Sequence, residues 1–109
     1  MDATEASDEA LQKMLVEMAR AMERGPLHRM VLNGCRVLRY LADSSVVTRE
    51  EAGRWALGHW RSSDHDLIEA ALARETGADK KAAMDLSAAY FFGFRVEVIA
   101  KEGVDPEDQ

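Results

Sequence analysis

The chain has 109 residues, with 14 Lys and Arg against 20 Asp and Glu, a formal net charge of −6 and 47% hydrophobic residues. That length holds one domain and is too short for two, and the apolar share supports a folded core rather than a disordered chain. The acidic balance argues against a general nucleic-acid binder, which gains its affinity by neutralising phosphates with Lys and Arg. One cysteine, Cys35, excludes an intramolecular disulfide and cannot make a thiolate metal site by itself, which points to the cytoplasm. The acidic N-terminus leads into no apolar signal segment, and no apolar run approaches the ~18 residues of a membrane span.

The chain order reads as a compact all-α bundle of about five helices, one domain over residues 1–109 with flexible tails at 1–7 and 104–109. The first helix runs from Asp8 to Arg24 with Ser7 as N-cap, Asp8 and Glu9 in its first turn, and Leu11, Met14, Leu15, Met18 and Met22 as one apolar stripe. Gly25-Pro26 ends it. The second, Leu27 to Ala42, places Leu27, Val31, Cys35, Leu38 and Leu41 on one side and leaves Arg29, Arg36 and Arg39 to reach water or a ligand. After Asp43-Ser44-Ser45, the string Thr48-Arg49-Glu50-Glu51 is a capping box that opens a short third helix to Gly58, with Ala52, Trp55 and Ala56 inward. Ser63 caps a fourth, with Asp64 and Asp66 in its first turn, Leu67, Ile68, Ala71 and Leu72 toward the core, and Gly77 as C-cap. From Asp79 a longer fifth helix runs to Glu102. Its buried face is Ala83, Leu86, Tyr90, Phe91, Phe94, Val98 and Ile99, and Phe92, about 100° beyond Phe91, is left exposed. Gly103 and Pro106 stop it. The strand-like run Arg95–Ile99 continues the helical stripe and is read as helix.

No catalytic set is visible. Asp64-His65-Asp66 has the spacing of a magnesium-holding acid pair, but in a helix the two carboxylates lie about 200° apart around the axis, so they read as acids favourable to the helix dipole. His28, His59 and His65 lack metal-ligand spacing. No serine has a base and an orienting acid, Cys35 falls on an apolar face, and glycine is too scattered for a phosphate-cradling loop. Arginines remain: Arg36 and Arg39 on the second helix, and Arg49 opening the third. Arg36 and Arg49 are placed to share a polar rim, where guanidinium forks suit phosphate oxygens. The plainer reading pairs these arginines with Glu50, Glu51 or Asp43. Trp55 reads as a core anchor, and Trp60, in a polar loop with His59 and Arg61, as a partly exposed contact.

The stretch from Val31-Leu32-Asn33-Gly34-Cys35-Arg36 to Leu41, followed by Val46-Val47-Thr48-Arg49-Glu50-Glu51-Ala52-Gly53-Arg54-Trp55-Ala56-Leu57, resembles the C-terminal helical domain of the aminoglycoside adenylyltransferases that modify streptomycin and spectinomycin. The features in common are an Arg inside an apolar helix, a small-residue loop, a basic residue opening a capped helix, and Trp-Ala with an apolar residue. The likeness extends over residues 27 to 77 and more loosely beyond. It implies a two-domain enzyme in which a separate nucleotidyltransferase domain carries the magnesium-holding acids and the catalytic Glu, and the bundle closes over ATP and drug. By resemblance, Arg36 and Arg49 face the nucleotide phosphates, with Arg49 where the family commonly has Lys. The tyrosine that the family places near the end of the fourth helix is Glu75 here. The Trp and Asp residues that streptomycin-binding members place before the second helix have no counterpart between Asp8 and Asp43.

The resulting expectation is a helical ligand- or nucleotide-binding domain of that type, not catalytic alone, with no metal and no cofactor of its own. ATP and magnesium enter only with a catalytic domain. Partners are a nucleotidyltransferase domain or a second copy, and a cationic small molecule that Glu17 and Glu23 are able to meet, with no nucleic acid and no membrane. Met1 and its acidic leader read as a start, hence a free-standing relative of the bundle connected with antibiotic resistance. Two alternatives stand beside it: an interaction or dimerisation module, motivated by the Met stripe of the first helix and the aromatics Tyr90, Phe91, Phe92 and Phe94, and a remnant without activity.

Overall fold

Gly25, at φ +67°, breaks the first helical stripe and lets the chain double back at Pro26, so the first two helices form an antiparallel pair. The computed structural model describes residues 3–103 together with Asp105 and Pro106, with side chains from Glu9 onward. It contains α1 (Ala3–Arg24), α2 (Leu27–Asp43), α3 (Arg49–His59), α4 (His65–Thr76) and α5 (Leu86–Glu102), with one 3-10 turn, Ser62–Asp64, before α4. No strand occurs among the described residues, and the chain is an all-α bundle as the sequence predicts.

The centre of the bundle is α2, which packs against each of the other four helices. Met30, Val31, Leu32, Cys35 and Val37 are fully buried, and Leu38 nearly so. Small residues set the distances. A Cβ on Gly34 would stand 2.8 Å from Phe92 Cε2, and one on Gly93 would stand 2.7 Å from Met30 Sδ, so each glycine leaves the space that a large side chain of the facing helix fills.

Several expectations are corrected. The first helix begins at Ala3, so Ser7 lies inside it rather than at its cap; the acidic, alanine-containing segment Ala3–Ala10 favours the start of a helix. Of the expected tails, Met1, Asp2, Val104 and residues 107–109 lie outside the described residues, whereas Asp105 is buried and its carboxylate accepts from Arg61. The fourth helix starts at His65, because the Asp64 carboxylate is engaged in tertiary bonds and makes no cap bond.

The fifth helix starts at Leu86, not Asp79. Asp85 is its N-cap, accepting from the Ala88 amide at 2.9 Å, and Asp79 instead turns back to accept from the Lys81 amide at 3.0 Å. Its buried face is also rotated. Ala89, Phe92, Gly93 and Val96 are buried, while Leu86, Tyr90, Phe91 and Phe94 are exposed, Ala83 is exposed in the connection, and Val98 and Ile99 are half-buried. The helix is apolar on more than one side, and the side that packs is the one whose small residues admit α2. Arg95 locks this rotation. At 2% exposure its Nη2 donates to Asp64 Oδ2 at 2.5 Å, and that oxygen also accepts from Trp60 Nε1 at 2.7 Å.

Phe92→Ala is therefore expected to cost about 3–5 kcal/mol of stability, as for a large core truncation, and Phe94→Ala less than about 1 kcal/mol. Urea unfolding of the two variants checks this; equal losses would put the packed face of α5 elsewhere.

Candidate functional site

Arg36 and Arg49, the two residues assigned to phosphate by resemblance, line the same cleft, a concavity of about 700 Å³ bounded by the loop before α3, the first turn of α3 and the end of α4. Thr48 is the N-cap of α3 and accepts from the Glu51 amide at 3.1 Å, which puts Arg49 at the first helical position. From half-way along α2, Arg36 reaches the loop: its Nε donates to the Val47 carbonyl and its Nη1 to Glu17 Oε2, each at 2.8 Å. A single guanidinium thus ties α1, α2 and the loop together.

Both forks hold carboxylates. Arg49 donates Nε to Glu75 Oε1 at 2.8 Å and Nη2 to Oε2 at 3.0 Å, a bidentate pair. The Arg49 hydrogen bond holds the Glu75 carboxyl below its ordinary value, against the opposing effect of burial. His28 stands 3.6 Å from the same carboxylate, yet its pKa is lowered, because burial outweighs the attraction of Glu75, and Arg29, Arg49 and Arg74 add to the lowering. Glu75, where the family's tyrosine would stand, is therefore the internal counter-ion of Arg49. Neither arginine takes the partners that spacing suggests; Asp43 pairs with Arg39 and Glu50 with Arg54.

The other singled-out residues serve the fold. Cys35 is fully buried and burial pushes its thiol up, so it holds no thiolate. Asp64 is held by Arg95 and Trp60, while Asp66 is exposed on α4, so the two do not converge. His59 stacks on Trp55 at 5.1 Å, and His65 Nε2 lies 2.8 Å from the Trp60 carbonyl. Trp55 is half-buried beneath Arg39, and Trp60 is half-buried beneath Arg61 with its indole NH on Asp64. Glu17 is engaged by Arg36 and Glu23 is exposed. Among the described residues, no three His, Cys, Asp or Glu side chains gather to hold a metal ion, and no helix is long and apolar enough to cross a membrane.

A second cleft, about 520 Å³, lies on the α1 side of Arg36 and Arg49 and is lined in addition by Arg20, Arg24, Arg29 and Asn33. The helical pattern marks Arg29 as a polar residue of the second helix and by itself gives no weight to Arg20 and Arg24 on the first. The signal was present: Arg20 and Arg24 are four apart, Arg29, Asn33 and Arg36 follow at helical spacing, and Gly25-Pro26 folds one row against the other.

Acidification should lower stability in two steps. His28 protonates more readily in the unfolded chain, so stability falls as pH drops below about 6.5 and levels below its lowered native value. Glu75 has a depressed native pKa, so its contribution is complete above the ordinary value of 4.5 and is lost as pH falls through the native value. Thermal melts across pH should show the acid step reduced in Glu75→Gln and the neutral step reduced in His28→Gln. An unchanged profile in both would contradict these assignments.

Comparison with known proteins follows the same residues. No curated protein and no solved structure gives a match. The family model described as the aminoglycoside adenylyltransferase C-terminal domain matches residues 3–93, which spans α1 through the first half of α5 and includes both clefts. The chain belongs to the aminoglycoside adenylyltransferase C-terminal domain family.

Proposed function

We propose that this domain forms the basic wall of a nucleotide site and has no catalytic activity alone. Arg36 and Arg49 would take phosphate oxygens of ATP when a nucleotidyltransferase domain, joined to it or separate, closes on the cleft. The observation that supports this most is the convergence of the two arginines from α2 and α3 on one concavity. The domain would then act in the cytoplasm, where ATP is available, and contribute to antibiotic resistance only through that second domain.

The carboxylates already present set the energetics. A triphosphate must compete with Glu75 for the Arg49 fork and with Glu17 for Arg36, so the free domain binds nucleotide weakly. Removing the charge of Glu75 relieves that competition. The purified chain should show no AMP transfer to streptomycin or spectinomycin. ATP should raise its melting temperature, less in Arg36→Ala and Arg49→Ala and more in Glu75→Gln, each measured against the variant's own melt without ligand. Turnover by the chain alone, or an ATP response indifferent to all three substitutions, would contradict the proposal.

A second reading is favoured by one feature, the exposed row Leu86, Tyr90, Phe91 and Phe94 on α5. Four large apolar side chains on one helix suit a docking or dimerisation face. Light scattering over a wide concentration range separates the readings: this one requires self-association that Phe94→Glu abolishes, and a monomer throughout argues against self-association.

A further inference from the structure

We infer that the groove between α1 and α2 is a binding site for a small polyanion bearing phosphate groups and a hydroxyl, and that it excludes polycationic ligands. The groove is the second cleft, about 520 Å³, a volume suited to a small molecule. Five of the chain's 14 basic residues line it against a single carboxylate, Glu17, in a protein whose net charge is −6. The inference does not depend on the nucleotide reading, because Arg20, Arg24 and Arg29 lie outside the first cleft.

The arginines of this groove fall into two kinds. Arg36 and Arg49 are held by Glu17 and Glu75. Arg20, Arg24 and Arg29 are exposed and form no ion pair or side-chain hydrogen bond among the described residues. Arg20 and Arg24 stand one turn apart on α1, and Arg29 begins the facing strip on α2. Like charges gathered this way repel one another in the free protein, and a concave wall concentrates their field. A bound polyanion would relieve that repulsion and occupy three open guanidinium forks.

Asn33 is the independent observation. It lines the groove between Arg29 and Arg36 on the same strip of α2, is 6% exposed, and its buried Oδ1 has no hydrogen-bond partner. Turning this amide toward the groove breaks no existing bond at Oδ1. It offers an acceptor to a ligand hydroxyl, which a fully ionised phosphate oxygen, having no proton to donate, does not use. Phosphate for the arginines and a hydroxyl for Asn33 together describe a phosphorylated sugar or polyol.

The test uses the full chain and calorimetric titration at constant ionic strength, with inorganic pyrophosphate, fructose 1,6-bisphosphate and streptomycin as probes. Both anions should bind saturably and streptomycin should not. The triple change Arg20→Gln, Arg24→Gln and Arg29→Gln, at exposed positions, should leave the melting temperature without ligand unchanged or raised and weaken both anions by about tenfold or more. Asn33→Ala should weaken the bisphosphate by about fivefold and leave pyrophosphate unchanged. Anion binding that survives the triple change but is lost in Arg49→Gln would overturn this site while sparing the nucleotide reading. Saturable streptomycin binding, or no binding of either anion, would overturn it outright.

Discussion

The arrangement depends on a single constraint: α2 must touch all four other helices. A helix packed on so much of its circumference is left with narrow polar strips, and the one that α2 turns to the clefts is Arg29, Asn33 and Arg36, while Arg39 and Asp43 pair with each other toward its C-terminal end. Glycine makes such contact possible, since Phe92 of α5 packs over Gly34 and Met30 of α2 packs over Gly93, places that a side chain on either glycine would fill. The same closeness fixes the direction in which the strip faces. It looks toward the end of α1 on one side and the start of α3 on the other, which is why arginines from three helices meet there.

Charge is distributed with equal economy. At the far end of the bundle Arg95 is sealed beside Asp64, with Phe91 and Phe92 5.3 and 5.9 Å from its guanidinium carbon, and Arg61 reaches Asp105. These pairs hold the 3-10 turn, α5 and the segment after it in register. A buried pair of this kind gives little net stability but is costly to break, since one partner alone is a buried charge. At the clefts the ion pairs are more exposed and exchangeable. Arg36 and Arg49 are positioned by carboxylates that an anion can displace, and the groove arginines beside them have none to displace. A polycation would meet mainly guanidinium groups here. The lack of Trp and Asp before the second helix, where streptomycin-binding members are expected to carry them, agrees with that electrostatic picture.

Much of this was readable in the residues. The break at Gly25-Pro26, the Thr48 cap, the Gly77 and Gly103 stops and the core placement of Cys35 follow from local chemistry, and the structure has them so. The sharing of one cleft by Arg36 and Arg49 follows from the short loop between two helices. What was not readable depends on distance along the chain. Nothing near Glu75 announces Arg49, 26 residues away, and nothing near Asp64 announces Arg95, 31 residues away. Apolar periodicity misplaces the rotation of α5 because it weighs large side chains, whereas Ala89 and Gly93 determine which face can approach α2. The start of α5 at Asp85 rather than Asp79 comes down to which aspartate caps the helix and which closes a local turn on the Lys81 amide.

The central claim is that the polar strip of α2 and the arginines facing it form an anion site. It is tested most directly by following the arginine Nε–H resonances of the isotopically labelled chain by NMR while pyrophosphate is added at fixed ionic strength. The expected result is a saturable shift at Arg20, Arg24 and Arg29, a smaller one at Arg36 and Arg49, and none at Arg54 or Arg74, which lie on α3 and α4 outside both clefts. Uniform, unsaturable shifts across all of them, or none at the groove, would contradict it.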